Sequence, residues 1–211
     1  TQFAQTSNVE TLSINAQATA LAADVSKFGG STVVVDLQDA AGGDSTTVDS
    51  TITKAEGKTI ALSKTVDDAA DANNNDGSKV TISLATDTAD DTANIQLNNV
   101  GTYTSANKGY AEIDVASFES VNIVANANAA GTDKLNEIAT LTATNAATVT
   151  VTGTGNLEIT DVPDTLSGLD VSGLGGDFTG TFNSNDNSVL VVAGQTISGG
   201  TGHDKLILDG S

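Results

Sequence analysis

Cysteine, tryptophan, methionine and arginine are all missing from this 211-residue chain, and proline and histidine occur once each, as Pro163 and His203. Without cysteine there are no disulfides, thiol nucleophiles or zinc-thiolate centres, a pattern that suits export to an oxidising exterior without bridges. Without arginine, the 8 basic residues are all lysines facing 27 acids, for a formal net charge of -19. That balance excludes duplex nucleic acid as a partner, since phosphate recognition needs a positive field and favours the guanidinium fork. It disfavours an anionic membrane surface for the same reason. Aromatics make up 3% of the chain, so any core must be assembled from Val, Ile, Leu and Ala. No run approaches the roughly 20 apolar residues of a membrane span, and no basic segment followed by an apolar one opens the chain as a secretion signal would. Thr1, with no methionine before it, reads as the start of a piece of a longer chain.

What the chain does have is Thr, Ser, Asn and 21 Gly around short aliphatic alternations, the composition of strands joined by tight turns. Period-two alternation predicts strands at Thr11–Ala16, Ser31–Leu37, Thr59–Ser63, Lys79–Ala85, Ala93–Leu97, Ala111–Val115 and Ser120–Ala125. It continues at Ala139–Ala143, Thr148–Thr152, Asn156–Thr160, Ser167–Val171, Phe178–Phe182, Ser188–Ala193 and Lys205–Leu208. The fold class is therefore all-β. One segment departs from the pattern: Ala18, Leu21, Ala22, Val25 and Phe28 recur at helical spacing before Gly29-Gly30, predicting a short helix near 17–28. A single helical turn is expected at Asp133–Ile138, and a polar loop at Thr65–Ser78. Pro163 should end one strand and begin a turn.

From about residue 138 the strands become shorter and more evenly spaced. Rungs this small cannot bury a face alone and are stable only when stacked, so a parallel β-solenoid is expected in this part. The organisation expected is a β-rich domain over 1–110, stacked short strands over 111–198, and the start of a calcium-binding repeat over 199–211. The stretches Val9–Ala16 and Phe118–Ala125 echo one another as apolar, Glu, hydroxyl, aliphatic, polar, Ile, x, Ala, by duplication or by chance in a biased composition.

The most specific motif is Gly199-Gly200-Thr201-Gly202-His203-Asp204-Lys205-Leu206-Ile207, which fits the nonapeptide G-G-x-G-x-D-x-U-x at every fixed position. In such a turn Gly199, Gly200 and Gly202 aim carbonyl oxygens inward, Asp204 supplies a hard anionic oxygen, and Leu206 points into the solenoid. Calcium takes about six to eight oxygens, so a second turn must contribute. Asp177 follows a partial match, Ser172–Gly176, and Asp186 lies two nonapeptide lengths before Asp204; either is a candidate ligand or an ordinary turn residue. A Gly-rich turn with an incidental Asp is the bland alternative for the motif itself. No enzyme signature appears: His203 sits at the variable position of the turn, and no metalloprotease, nucleophile-elbow or phosphate-loop pattern is present. A pair of acids for glycoside hydrolysis has no preferred members among the scattered carboxylates. The alternating threonines at 140–144 and 148–154 suit either ordinary solvent-facing strands or an ice-binding ladder, and the latter would need the pattern on consecutive rungs, where Glu158, Thr160 and Asp170 stand instead.

VETLSINA, FESVNIVA, TLTATNAATVTVTGTGNLEIT and the closing GGTGHDKLI, in an acidic chain without Cys or Arg, resemble the bacterial surface-layer proteins with RTX-type calcium repeats. The compositional likeness covers nearly the whole chain, the defined motif only Gly199–Ile207, and one clear repeat stands where that family has several. The resemblance implies type I secretion, a cell-surface location, calcium-dependent folding with Ca2+ at Gly199, Gly200, Gly202 and Asp204, and self-association into a lattice, with cell-surface polysaccharide as a further partner. It implies no enzyme, no nucleic acid and no membrane insertion. The alternative is a stalk or ligand-binding segment of a secreted RTX adhesin, or the non-catalytic region of a type I secreted enzyme.

Overall fold

The computed structural model describes residues 8–17, 21–38, 49–63, 79–100, 102–104, 107–109, 111–127, 136–183 and 195–209. The chain winds as a coil in which each turn lays down one strand in each of two parallel sheets. In chain order the strands are β1 (Thr11–Gln17), β2 (Leu21–Asp24), β3 (Thr32–Gln38), β4 (Ser50–Thr53), β5 (Thr59–Ser63) and β6 (Lys79–Ser83). Then come β7 (Thr92–Asn98), β8 (Thr102–Thr104), β9 (Asn107–Gly109), β10 (Ala111–Asp114), β11 (Ser120–Ala125) and β12 (Asn136–Thr142). The last are β13 (Thr148–Gly153), β14 (Leu157–Ile159), β15 (Gly168–Leu174), β16 (Phe178–Asn183), β17 (Thr196–Ser198) and β18 (Asp204–Asp209).

Sheet 1 runs β1-β3-β5-β7-β11-β13-β15-β17 and sheet 2 runs β2-β4-β6-β10-β12-β14-β16-β18, eight strands each. β8 and β9 form a small antiparallel hairpin between β7 and β10. The all-β, parallel solenoid architecture expected for the C-terminal part therefore covers the whole described chain. Residue 110 marks no break in either sheet: β7 pairs with β11, and β6 with β10.

The core is a set of aliphatic columns between the sheets. Leu12, Val33, Ile60, Ile95, Ile123 and Val151 share one register column of sheet 1, and all but Leu12, in the first rung, are buried. Strand alternation places these positions inward and the intervening Thr, Ser and Asn outward. One buried amide locks three rungs together: Asn136, 0% exposed, accepts from the Val100 amide (3.3 Å) and donates to the carbonyls of Asn126 (3.1 Å) and Asn156 (3.2 Å). Its donors and acceptor are thus satisfied in a dry interior, where an orphaned amide is costly.

The corners leading from sheet 2 to sheet 1 repeat one turn. The amides of Phe28, Lys58, Phe118 and Ala146 donate to the carbonyls of Val25, Ala55, Val115 and Ala143, three residues earlier, at 3.0–3.1 Å. Val25, Ala55, Val115 and Ala143 face the core, with Phe28 and Phe118 filling the corner at 2% and 1% exposure.

This corner explains the departure from the predicted helix. Among the described residues of 17–28, Leu21–Asp24 is strand β2, followed by the turn. A short strand with Ala23 and Val25 inward, an Asp24 carboxylate taking the Ser26 amide (3.0 Å) and Phe28 closing the corner give apolar residues a spacing that imitates a helix. Likewise Asn136–Ile138 opens β12 instead of a helical turn. The loop expected at Thr65–Ser78 and the strand expected at Ser188–Ala193 lie outside the described residues. Alternation does not reveal β4 and β17, because each has a single apolar residue, Ile52 and Ile197. Among the described residues no helix is long and apolar enough to cross a membrane.

Candidate metal-binding corners

The nonapeptide turn joins β17 to β18 and stacks on the turn joining β15 to β16. Its glycines are dictated by that stacking. A Cβ on Gly200 would stand 2.8 Å from the Val171 carbonyl oxygen and closer still to that of Leu174. One on Gly202 would stand 2.9 Å from the Asp177 nitrogen and closer still to the Gly176 carbonyl. Backbone approach at this distance leaves room for hydrogen alone. At Gly199 the obstacle is the movable Asp204 Oδ2, at 2.7 Å.

The carboxylates of this region accept backbone hydrogen bonds. The Gly200 amide donates to Asp204 Oδ2 (2.7 Å) and the His203 amide to Asp177 Oδ1 (2.8 Å). One turn earlier in the coil, the Asp177 amide donates to Asn156 Oδ1 (2.8 Å). Asn156, Asp177 and His203 therefore form a ladder in which each side-chain oxygen takes the amide one rung on. The structure brings Gly199, Gly200, Gly202, Asp204 and Asp177 to one corner. Beside Asp204 it places Phe178, because the coil here repeats over more residues than two nonapeptides. Asp186, selected by that nonapeptide arithmetic, lies outside the described residues. Leu206 occupies the column Ile138-Ile159-Gly180-Leu206 expected of an inward residue, but in the last rung it remains 45% exposed. His203 is fully exposed, its Nδ1 3.7 Å from Asp177 Oδ1.

A second carboxylate group lies at the corners entering sheet 1. One carboxylate oxygen from each of Asp87, Asp91 and Glu119 lies within 4.8 Å of the others, a grouping able to hold a metal ion. Asp91 and Glu119 precede equivalent strands on adjacent rungs, and the Glu119 amide donates to the Asp91 carbonyl (3.0 Å). Glu119 Oε2 takes the Asp91 amide (2.8 Å) and Asp91 Oδ2 the Thr88 amide (2.6 Å), which orients both carboxylates. Hard oxygens of this kind suit calcium or magnesium better than softer metals. Sequence reasoning missed this group because Asp91 and Glu119 meet only through the coil. The visible sign was the acidic run Asp87–Asp91, without its distant partner.

Among the described residues, three carboxylates are held away from their ordinary ionisation range. The hydrogen bond from Lys54 (2.7 Å), together with Ser26, holds Asp24 well below it. Hydrogen bonds from Ser172 lower Asp170, and burial raises Asp161 against a lowering hydrogen bond from Asn183.

Fold and corners together define a parallel β-solenoid protein with an acidic group of metal-compatible geometry. Compared with known proteins, the chain matches no family model, no curated protein and no solved structure.

Proposed function

We propose that the chain is a non-catalytic structural segment of a bacterial surface layer, located outside the cell and drawn into larger assemblies by calcium. The observation that carries this reading is the meeting of carboxylates from adjacent rungs, Asp91 and Glu119 with Asp87, on a chain of net charge -19. Such molecules repel one another wherever their charged surfaces approach, and a divalent cation both screens that repulsion and bridges carboxylates of neighbouring molecules. Ca2+ is the ion of choice because the donors are carboxylates and the extracellular fluid supplies it. The nonapeptide corner at Gly199, Gly200, Gly202 and Asp204 adds a second place where calcium would act, with Asp177 one rung away. Type I secretion and attachment to cell-surface polysaccharide belong to the same reading.

The test is a calcium titration of the 211-residue chain followed by light scattering, electron microscopy and circular dichroism. Extended sheets at millimolar calcium that disperse in chelator are expected. Absence of any calcium-dependent assembly overturns the surface-layer reading in favour of an adhesin segment or the carrier of a secreted enzyme. Capture of glycans without assembly points to adhesion.

A further inference from the structure

The two outer faces of the solenoid differ in charge. Along sheet 2 the outward positions include Asp24, Lys79, Glu112, Asp114, Glu158 and Lys205. Along sheet 1 they are almost entirely uncharged, with Asp36 and Asp170 the exceptions among the described residues. One column there reads Thr11, Thr32, Thr59, Asn94, Asn122, Thr150, Asp170, Ser198 across eight consecutive rungs. The next column reads Ser13, Val34, Ala61, Gln96, Val124, Thr152. Val124, fifth in this column, is 36% exposed, while the small Ala61, third, is shielded to 2%. The threonines that read as a single ladder in the sequence divide between the faces: Thr140 and Thr142 belong to sheet 2, Thr148, Thr150 and Thr152 to sheet 1.

We infer that the outer face of sheet 1 is the surface through which two copies of this chain meet, face to face. Charge selects it. For molecules of net charge -19, a contact through the sheet 2 face must accommodate Asp24, Lys79, Glu112, Asp114, Glu158 and Lys205, whereas the sheet 1 face meets its copy mainly with hydroxyls, amides, Val34 and Val124 and has only Asp36 and Asp170 to keep apart. Size permits it. Eight strands at about 4.8 Å spacing make a patch about 34 Å long and about 20 Å wide. That is about 700 Å² per copy, within the range of stable interfaces. Short side chains let two such sheets approach to about 10 Å, as in β-sandwiches. The inference deepens the proposed self-association and rests on that reading, but it requires no cation.

The experiment is sedimentation velocity of the full chain in chelator at moderate salt, with two doubly substituted variants. Val124→Glu with Thr150→Glu charges the sheet 1 face; Thr140→Glu with Thr179→Glu charges the sheet 2 face as a control. Circular dichroism melts establish that all are folded; Val124→Gln with Thr150→Gln replaces the sheet 1 variant if it is not, and Thr140→Gln with Thr179→Gln the sheet 2 variant. The wild type and the sheet 2 variant should dimerise alike, the sheet 1 variant at least tenfold more weakly. A mixture of the Glu variant with Val124→Lys/Thr150→Lys should recover association. A monomeric wild type, retained on immobilised neutral glycan or not, overturns the inference, as does equal loss in both variants. Dimers in chelator with no larger assembly in calcium sink the surface-layer reading alone; calcium-driven sheets formed equally by the sheet 1 variant sink this face alone.

Discussion

Replacing Gly202 by Ala separates a glycine kept for metal binding from one kept for packing. The added methyl would stand 2.9 Å from the Asp177 nitrogen and nearer still to the Gly176 carbonyl, both backbone atoms that cannot swing aside. The rung must lift, and the six register pairs joining β16 to β18 weaken from the turn end. Losing two or three ladder hydrogen bonds costs about 1–4 kcal/mol. Because β17 and β18 are edge strands of the two described sheets, the loss should appear as local opening rather than global unfolding. Amide hydrogen exchange in β18 should then accelerate about fivefold to several-hundredfold. Gly199→Ala serves as the internal comparison, since only the Asp204 carboxylate stands in its way; a rotamer change relieves it at the cost of the exposed Gly200–Asp204 hydrogen bond, about 1 kcal/mol, and leaves the backbone stacking of the rung in place. The measurement is made in chelator. If Gly202→Ala leaves β18 exchange unchanged without calcium, or if Gly199→Ala matches it, rung packing does not explain these glycines.

Phe118→Ala removes a ring 1% exposed at the β10–β11 corner and should cost about 3–5 kcal/mol in denaturant unfolding. Asp24 should make stability fall with acid: its folded ionisation lies below the unfolded value, so its contribution is present above pH about 4 and fades as pH drops through the folded value. Asp24→Asn should flatten the acid limb of stability against pH, and an unchanged limb would refute the assignment. Asp91→Asn with Glu119→Gln should weaken terbium or calcium binding at the Asp87 group at least tenfold while leaving the apo fold intact, read by luminescence and thermal melting.

Alternation carried most of the fold into the sequence: β5 (Thr59–Ser63) and β11 (Ser120–Ala125) are bounded as their aliphatic pattern predicts. β4 (STIT) has one apolar residue and cannot establish a period, and in β2 (LAAD) three consecutive apolar residues do not alternate, so the corner that follows adds a false helical period. The echo of Val9–Ala16 in Phe118–Ala125 does correspond to two strands of sheet 1. The ladder joins them two residues out of step, with Thr11 in the column of Asn122. The C-terminal corner was legible because its glycines sit next to one another. The acidic group was not, because turns of the coil differ in length: Thr32 aligns with Thr59, but Thr59 with Asn94. Without a fixed period, nothing in the linear order announces that Asp91 and Glu119 are neighbours.

That irregular period has a mechanical side. Most of the extra residues fall in the connections from sheet 1 to sheet 2, at 39–49, 64–78, 99–110 and 126–135; of the opposite connections only 184–195 is as long. Connection length can therefore differ from rung to rung without disturbing the columns, because it is the ladders that hold one turn of the coil to the next. Under tension along the coil axis, such a molecule yields one turn at a time, and dissipates a pull that would rupture a single cooperative block.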